Sequence, residues 1–263
     1  MTLSPRLAPA PAHWVEFLRE LGNEADRVAL RYFRARDLHV DRKSDLSPVT
    51  QADREIEALA TALVREHHPE LGILGEETGA QGGEGARLII DPIDGTRNFV
   101  RGIPIFATLL AIELDGEVVA GLVSAPALGM RWHAVRGGGA FRDGRPIRVS
   151  GVGSVDEALL LHANLGRAEP PPPPGFFDLV RRVERTRGFG DFYQHMVVAE
   201  GGGELAVDPE AHPWDIAALQ VIVEEAGGRA TTLAGQRSIF GGSLLSSNGL
   251  LHETGLVALG RGS

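Results

Sequence analysis

The segment Asp91-Pro92-Ile93-Asp94-Gly95-Thr96 sets two carboxylates three residues apart at the end of a short apolar run, Arg87 to Asp91. A hard cation such as magnesium takes oxygen ligands in near-octahedral geometry and keeps several waters. Asp91, Asp94 and the Ile93 carbonyl could supply such oxygens from one turn. Pro92 stiffens the link, and Gly95 permits a close backbone approach. A helix starting near Thr96 would turn its unpaired N–H groups into the same space, where they suit a phosphate. The competing reading is a capped turn in which both aspartates accept backbone N–H groups.

Other acids matter only if they converge on this turn. Glu76-Glu77 follow Gly75 after a strand-like Gly72 to Leu74, and taken alone they read as an exposed acidic turn. Asp53 lies three residues after Thr50 and taken alone is a capping-box acid. Asp215 follows Trp214 at a helix start and taken alone is an N-cap. Brought together, such carboxylates repel one another and need a cation to stay ionised. Spacing along the chain leaves open whether they meet. The histidines are assigned to core or surface. His67-His68 are adjacent and would point different ways on a helix, while His133, His162, His195 and His212 lack ligand spacing. Arg181, Arg182, Arg185 and Arg187 are assigned to a solvated helix face.

Composition narrows the classes. The 35 Asp and Glu outnumber the 26 Lys and Arg for a net charge of -9, so nucleic acid is a poor partner. With no cysteine, disulfides, thiolate metal sites and a cysteine nucleophile are excluded. No apolar run reaches bilayer length, and Met1 to Pro11 lacks a secretory pattern, so no membrane partner and a cytoplasmic location are expected.

The elements that must position these acids follow from periodicity. Apolar residues from Trp14 to Tyr32 recur at three- and four-residue steps and predict a helix over His13 to Phe33, after a loose Met1 to Ala12. Lys43 to Val49 reads as a loop, and a second helix is predicted over Gln51 to His67, ended by Pro69. Ile105 to Leu114 and Glu117 to Ser124 flank Asp115-Gly116, a hairpin signal, and Met130 to Val135 reads as a further strand before the turn Asp143-Gly144. Ala158 to Ala163, Glu204 to Asp208, Arg229 to Leu233 and Ser243 to Ser247 read as strands. Phe176 to Arg185, Tyr193 to Glu200, Pro213 to Ala226 and a segment from about Leu250 read as helices. The five prolines between Glu169 and Gly175 make an irregular loop. Two halves are expected: residues 1–150, with two helices and an antiparallel sheet, and residues 151–263, an α/β half with Asp215.

Gly75-Glu76-Glu77, Asp91 to Thr96 with Asn98-Phe99, and Trp214-Asp215-Ile216-Ala217 leading to Glu225-Ala226-Gly227-Gly228 resemble the motifs of the inositol monophosphatase superfamily, in its order. The resemblance implies an α/β fold layered as an alternating α-β-α-β-α sandwich, commonly a homodimer, and a magnesium-dependent phosphatase acting on a small-molecule phosphate ester. It implies magnesium ligands at Glu76, Asp91, the Ile93 carbonyl, Asp94 and Asp215. Glu76 and Thr96 would position the attacking water, Asp53 would polarise the Thr96 hydroxyl, and the N–H groups of Gly95 and Thr96 would hold the phosphate.

Asp41 to Asp53, Arg97 to Pro104 continuing through Leu109, and Gly190-Asp191-Phe192-Tyr193 through Gly201 resemble the histidinol-phosphate phosphatase branch more than inositol phosphatases. That likeness implies hydrolysis of histidinol phosphate in histidine biosynthesis, with Asp94, Asp191, Asp208 and Asp215 facing the substrate. Histidinol phosphate carries an ammonium and an imidazole, which an extra carboxylate at Asp191 would favour over the hydroxyls of inositol. Asp191 taken alone is equally a turn or cap residue. Many relatives carry glutamate at the position of Asp208. The alternatives are an inositol-1-phosphate or broad-specificity phosphatase and, from another class, an interaction protein on the same fold.

Overall fold

The computed structural model describes residues 11–36, 38–42, 48–83, 85–166 and 170–260. In chain order the elements are α1 (Pro11–Tyr32), β1 (Val40–Arg42), β2 (Pro48–Thr50), α2 (Gln51–His67), β3 (Gly72–Gly75), β4 (Gly79–Gln81), β5 (Ala86–Asp94), α3 (Thr96–Val100), β6 (Ala107–Leu114), β7 (Glu117–Ala125), β8 (Met130–Val135), β9 (Gly139–Arg142) and β10 (Arg145–Pro146). There follow β11 (Leu159–His162), α4 (Phe176–Val180), β12 (Arg185–Arg187), α5 (Asp191–Ala199), β13 (Leu205–Asp208), α6 (Pro213–Glu225), β14 (Arg229–Thr231), β15 (Leu244–Ser247) and α7 (His252–Ala258).

Strands β3 to β10 form one sheet in the order β10-β9-β8-β7-β6-β5-β3-β4, and β11 to β15 form a second in the order β12-β11-β13-β15-β14. The large sheet is antiparallel except where β3 runs parallel to β5. In the small sheet β11 lies parallel to β12 and β13, and β15 is antiparallel to β13 and β14.

Apolar faces dictate how these layers stack. Trp14, Phe17, Leu18, Leu21, Ala25, Val28 and Ala29 of α1 are buried, as their spacing demands, and join Ile56, Ala60 and Val64 of α2 over one face of the large sheet. α6 is buried on every side from Ile216 to Val223, as expected of a helix enclosed between layers. With α5 it fills the space between the two sheets, and α4 and α7 cover the outer face of the small one. The result is the expected α-β-α-β-α sandwich.

The Asp115-Gly116 hairpin forms with φ of 50° and 84°, the left-handed pair such a turn requires. Other expectations need adjusting. The helix expected over Phe176 to Arg185 stops at Val180, and Arg185–Arg187 form edge strand β12, with both arginines exposed and Thr186 turned inward. Its alternation is too short to outweigh the helical pattern before it. Pro48–Thr50, placed partly in a loop, pairs with Val40–Arg42. The loose start and the Lys43 to Val49 loop fall largely on residues outside the described set, as does Glu169 at the start of the proline segment. No helix among the described residues is long and apolar enough to cross a membrane.

Candidate active site

Two residues three apart on a regular strand face opposite sides of the sheet. Asp91 and Asp94 do not, because β5 bulges between them: Asp91 pairs with Leu109 but Asp94 pairs with Ala107. The Thr108 hydroxyl donates to the Pro92 carbonyl at 2.8 Å and pins the bulge. Both carboxylates then face the start of α6, where Asp215 Oδ2 accepts the His212 N–H at 2.6 Å. Asp91, Asp94 and Asp215 each offer an oxygen within 4.8 Å of the others.

These acids floor a cavity of about 230 Å³ that Glu76, Ile93, Gly95, Thr96, Asp191 and Asp208 also line. Among the described residues no Lys or Arg lines it. Each substrate-side acid is held by its neighbours. Asn98 Nδ2 donates to Asp191 Oδ2 and to the Ile105 carbonyl, both at 2.9 Å. Asp191 opens α5 at φ 50°, and the next N–H, of Phe192, donates to Asp94 Oδ2 at 2.7 Å. Gly95 sits at φ 80°, and a Cβ there would stand 3.2 Å from Asp191 Oδ2, so glycine lets the two loops approach. Asp208 accepts Gln194 Nε2 at 2.6 Å and meets His195 Nε2 at 2.7 Å. His195 is a core residue, its Nδ1 2.8 Å from Ser246 Oγ.

Burial and crowding raise the Asp91, Asp94 and Asp215 carboxyls above their ordinary range. Asp91 is pushed well up by burial, then by Glu76, Asp94 and Asp215. Asp94 is pushed well up by burial, then by Asp191 and Asp215. Asp215 rises to about 7, chiefly through burial, against the stabilising His212 N–H. Asp91 Oδ1 is buried with no hydrogen-bond partner among the described residues. A buried carboxylate oxygen without a donor is costly. Oxygen-rich, uncompensated and converging, the set fits a hard divalent cation.

Asp53 lies behind the cavity. Burial raises it to about 7, against two bonds from Thr50, with Glu76 and Glu77 adding repulsion. Its Oδ2 accepts the Thr50 N–H at 2.8 Å and the Thr50 hydroxyl at 2.6 Å, the capping box its spacing suggests. The expected Asp53–Thr96 contact is not formed: the Thr96 hydroxyl donates to the Ile93 carbonyl at 2.9 Å. Asp215 is not the N-cap its position suggested: His212 is, and Asp215 is the third helical residue, which closes a capping box on the His212 N–H while its carboxylate joins the acid cluster.

Spacing did not single out Glu57, Asn98 as a partner of Asp191, the Gln194–His195 pair behind Asp208, or Glu210 on the cavity rim. Glu57 had a signal. It sits four residues after Asp53, on the same face of the predicted α2.

The chain belongs to the inositol monophosphatase family, whose sequence model matches residues 11–260. It is a phosphatase of that family, whose enzymes are metal-dependent, and its acid cluster could hold a metal. The histidinol-phosphatase of Mycobacterium tuberculosis is 45% identical over 249 residues, covering 92% of this chain and 96% of the relative. That of Streptomyces coelicolor is 42% identical over 243 residues, covering 89% and 91%. Among solved structures, an IMPase from Thermotoga maritima superimposes with a TM-score of 0.83 at 32% identity, covering 94% of this chain and 96% of that one.

Proposed function

We propose that the protein hydrolyses L-histidinol phosphate to L-histidinol and phosphate in histidine biosynthesis, with magnesium held by Glu76, Asp91, the Ile93 carbonyl, Asp94 and Asp215. The observation that carries this reading is the composition of one cavity: a floor of converging acids and, facing it, a second set comprising Asp191, Asp208 and Glu210, with no basic residue lining it among those described. The likeness to two histidinol-phosphatases supports the choice of ester. The cation, when bound, supplies charge neutralisation for the phosphoryl group and a lowered pKa for water. Thr96 begins α3, so its N–H lacks an intrahelical acceptor and, with that of Gly95, can hold phosphate oxygens. Glu76 and Thr96 orient the water for in-line attack. The water oxygen bonds to phosphorus, the ester P–O bond breaks, and the alcohol leaves with a proton. Asp53 acts through its field on Glu76 and Glu77. The acids opposite attract the ammonium and imidazole. Asp191, Asp208 and the exposed Glu210 together supply that attraction, Asp191 held by Asn98 and Asp208 by Gln194 and His195.

A homodimer in the cytoplasm, and the division at about residue 150, belong to this proposal. The family likeness supports the dimer and the location. The division is supported by large-sheet strands ending at Pro146 and small-sheet strands beginning at Leu159.

Asp191→Asn tests the substrate. Asparagine tolerates the left-handed φ of 50° and can still bond Asn98, so the loop should survive while the charge is lost. Turnover of histidinol phosphate, as kcat/KM, is expected to fall about tenfold, as for loss of a charged hydrogen bond. Turnover of inositol 1-phosphate should change little. Equal losses on both esters would remove the specificity claim.

A further inference from the structure

We propose that Glu57 is a positioning residue: its buried carboxylate holds the turn that carries Glu76 and so sets that acid for the cation. Glu57 is 1% exposed. Its Oε2 accepts the Glu77 N–H at 2.9 Å, and its Oε1 accepts the Thr78 N–H at 3.0 Å together with the Thr78 hydroxyl. Successive N–H groups converging on one anion form an anion-binding nest, here filled from within the fold. Gly75, the residue before Glu76, completes the arrangement. A Cβ there would stand 2.0 Å from Glu57 Oε1, so any larger residue would drive the carboxylate off the turn.

The anchor is rigid because Glu57 lies on α2 among Ile56, Ala60 and Val64, which are packed in the core beneath the large sheet. Asp53, one helical turn earlier, is a second buried acid on the same helix, and repulsion from Glu76 and Glu77 adds to the burial that raises its carboxyl. One helix therefore places two buried acids around Glu76 without either lining the cavity. Glutamine at position 57 would keep an acceptor for Thr78 but turn an NH2 toward the Glu77 N–H.

The inference rests on Glu76 being a cation ligand, and the test separates the two. Magnesium binding is measured by isothermal titration calorimetry in the wild type, Glu57→Gln, Thr78→Val and Glu76→Gln, with kcat and KM on histidinol phosphate. Glu57→Gln should bind magnesium about tenfold more weakly, the usual cost of losing a group that orients a ligand. Its kcat should fall more than its KM rises. Thr78→Val, which deletes one of three donors, should give a smaller loss in the same direction and serves if Glu57→Gln does not fold. A merely structural glutamate would lower thermal stability and leave the magnesium constant of the folded variants unchanged, which would overturn the inference. Unchanged binding in Glu76→Gln would remove the ligand assignment and the inference with it. Loss in Glu76→Gln with wild-type binding in both other variants would overturn the inference alone.

Discussion

Asp94→Asn is expected to cut kcat/KM by about 10³-fold or more, a loss of several kcal/mol of phosphoryl-charge stabilisation, while the metal-free fold keeps or gains stability. The two halves of that expectation have separate causes. Asp94 is one of three acids whose oxygens converge within 4.8 Å, so losing its charge weakens the cation site directly. The same charge is a burden on the empty fold: burial, Asp191 and Asp215 all push its carboxyl up. Asparagine can still accept the Phe192 N–H through its side-chain oxygen, so the link from β5 to α5 is retained. Melting in EDTA and steady-state kinetics in magnesium check both halves. Near-normal hydrolysis by a folded, magnesium-replete variant would contradict the ligand assignment.

The metal-free protein should lose stability as pH rises from about 5 to about 8, and magnesium should restore more at the higher pH. The sign follows from the direction of the shifts. Asp53 and Asp215 have folded pKa values of about 7 against an ordinary 3.8, and Asp91 and Asp94 are also raised. Between these limits the folded state binds more protons than the unfolded chain, so stability falls as pH rises. For Asp53 and Asp215 the advantage of protonation is complete below the ordinary carboxyl range and is gone once pH passes about 7. Asp53 and Asp215 alone then cost on the order of a few kcal/mol, and the effect on Tm should be on the order of 5 °C or more. A cation holds Asp91, Asp94 and Asp215 ionised and competes with protons for them. Calorimetric Tm values in EDTA and in magnesium, at both pH values, test this. A metal-free Tm that climbs from pH 5 to pH 8, or an equal magnesium increment at both, would contradict it.

Local signals were legible where they depend on neighbouring residues. α2 runs over Gln51–His67 as predicted because Thr50 and Asp53 cap it and its apolar face repeats. The Asp115-Gly116 hairpin followed from the left-handed pair it needs. The family motifs around Glu76, Asp91 and Asp215 announced the acids but not how they meet. That depends on a bulge between Asp91 and Asp94, which exists only because β5 pairs with β6 in a shifted register, and on α6 lying between two sheets. Asp208 shows the same limit. The family likeness set it toward the substrate, and it does line the cavity, but spacing gave no sign that Gln194 and His195 meet its two oxygens from behind. Glu57 stayed hidden because a carboxylate on a helix usually faces solvent, and only the tertiary turn around Gly75 makes burial affordable.

The most direct measurement is phosphate release from histidinol phosphate and from inositol 1-phosphate, side by side, with magnesium and with EDTA. Release that EDTA abolishes, with a marked preference for histidinol phosphate, is expected. Equal rates, or preference for the inositol ester, would contradict the substrate assigned to the cavity; release that persists in EDTA would contradict the cation site at its floor.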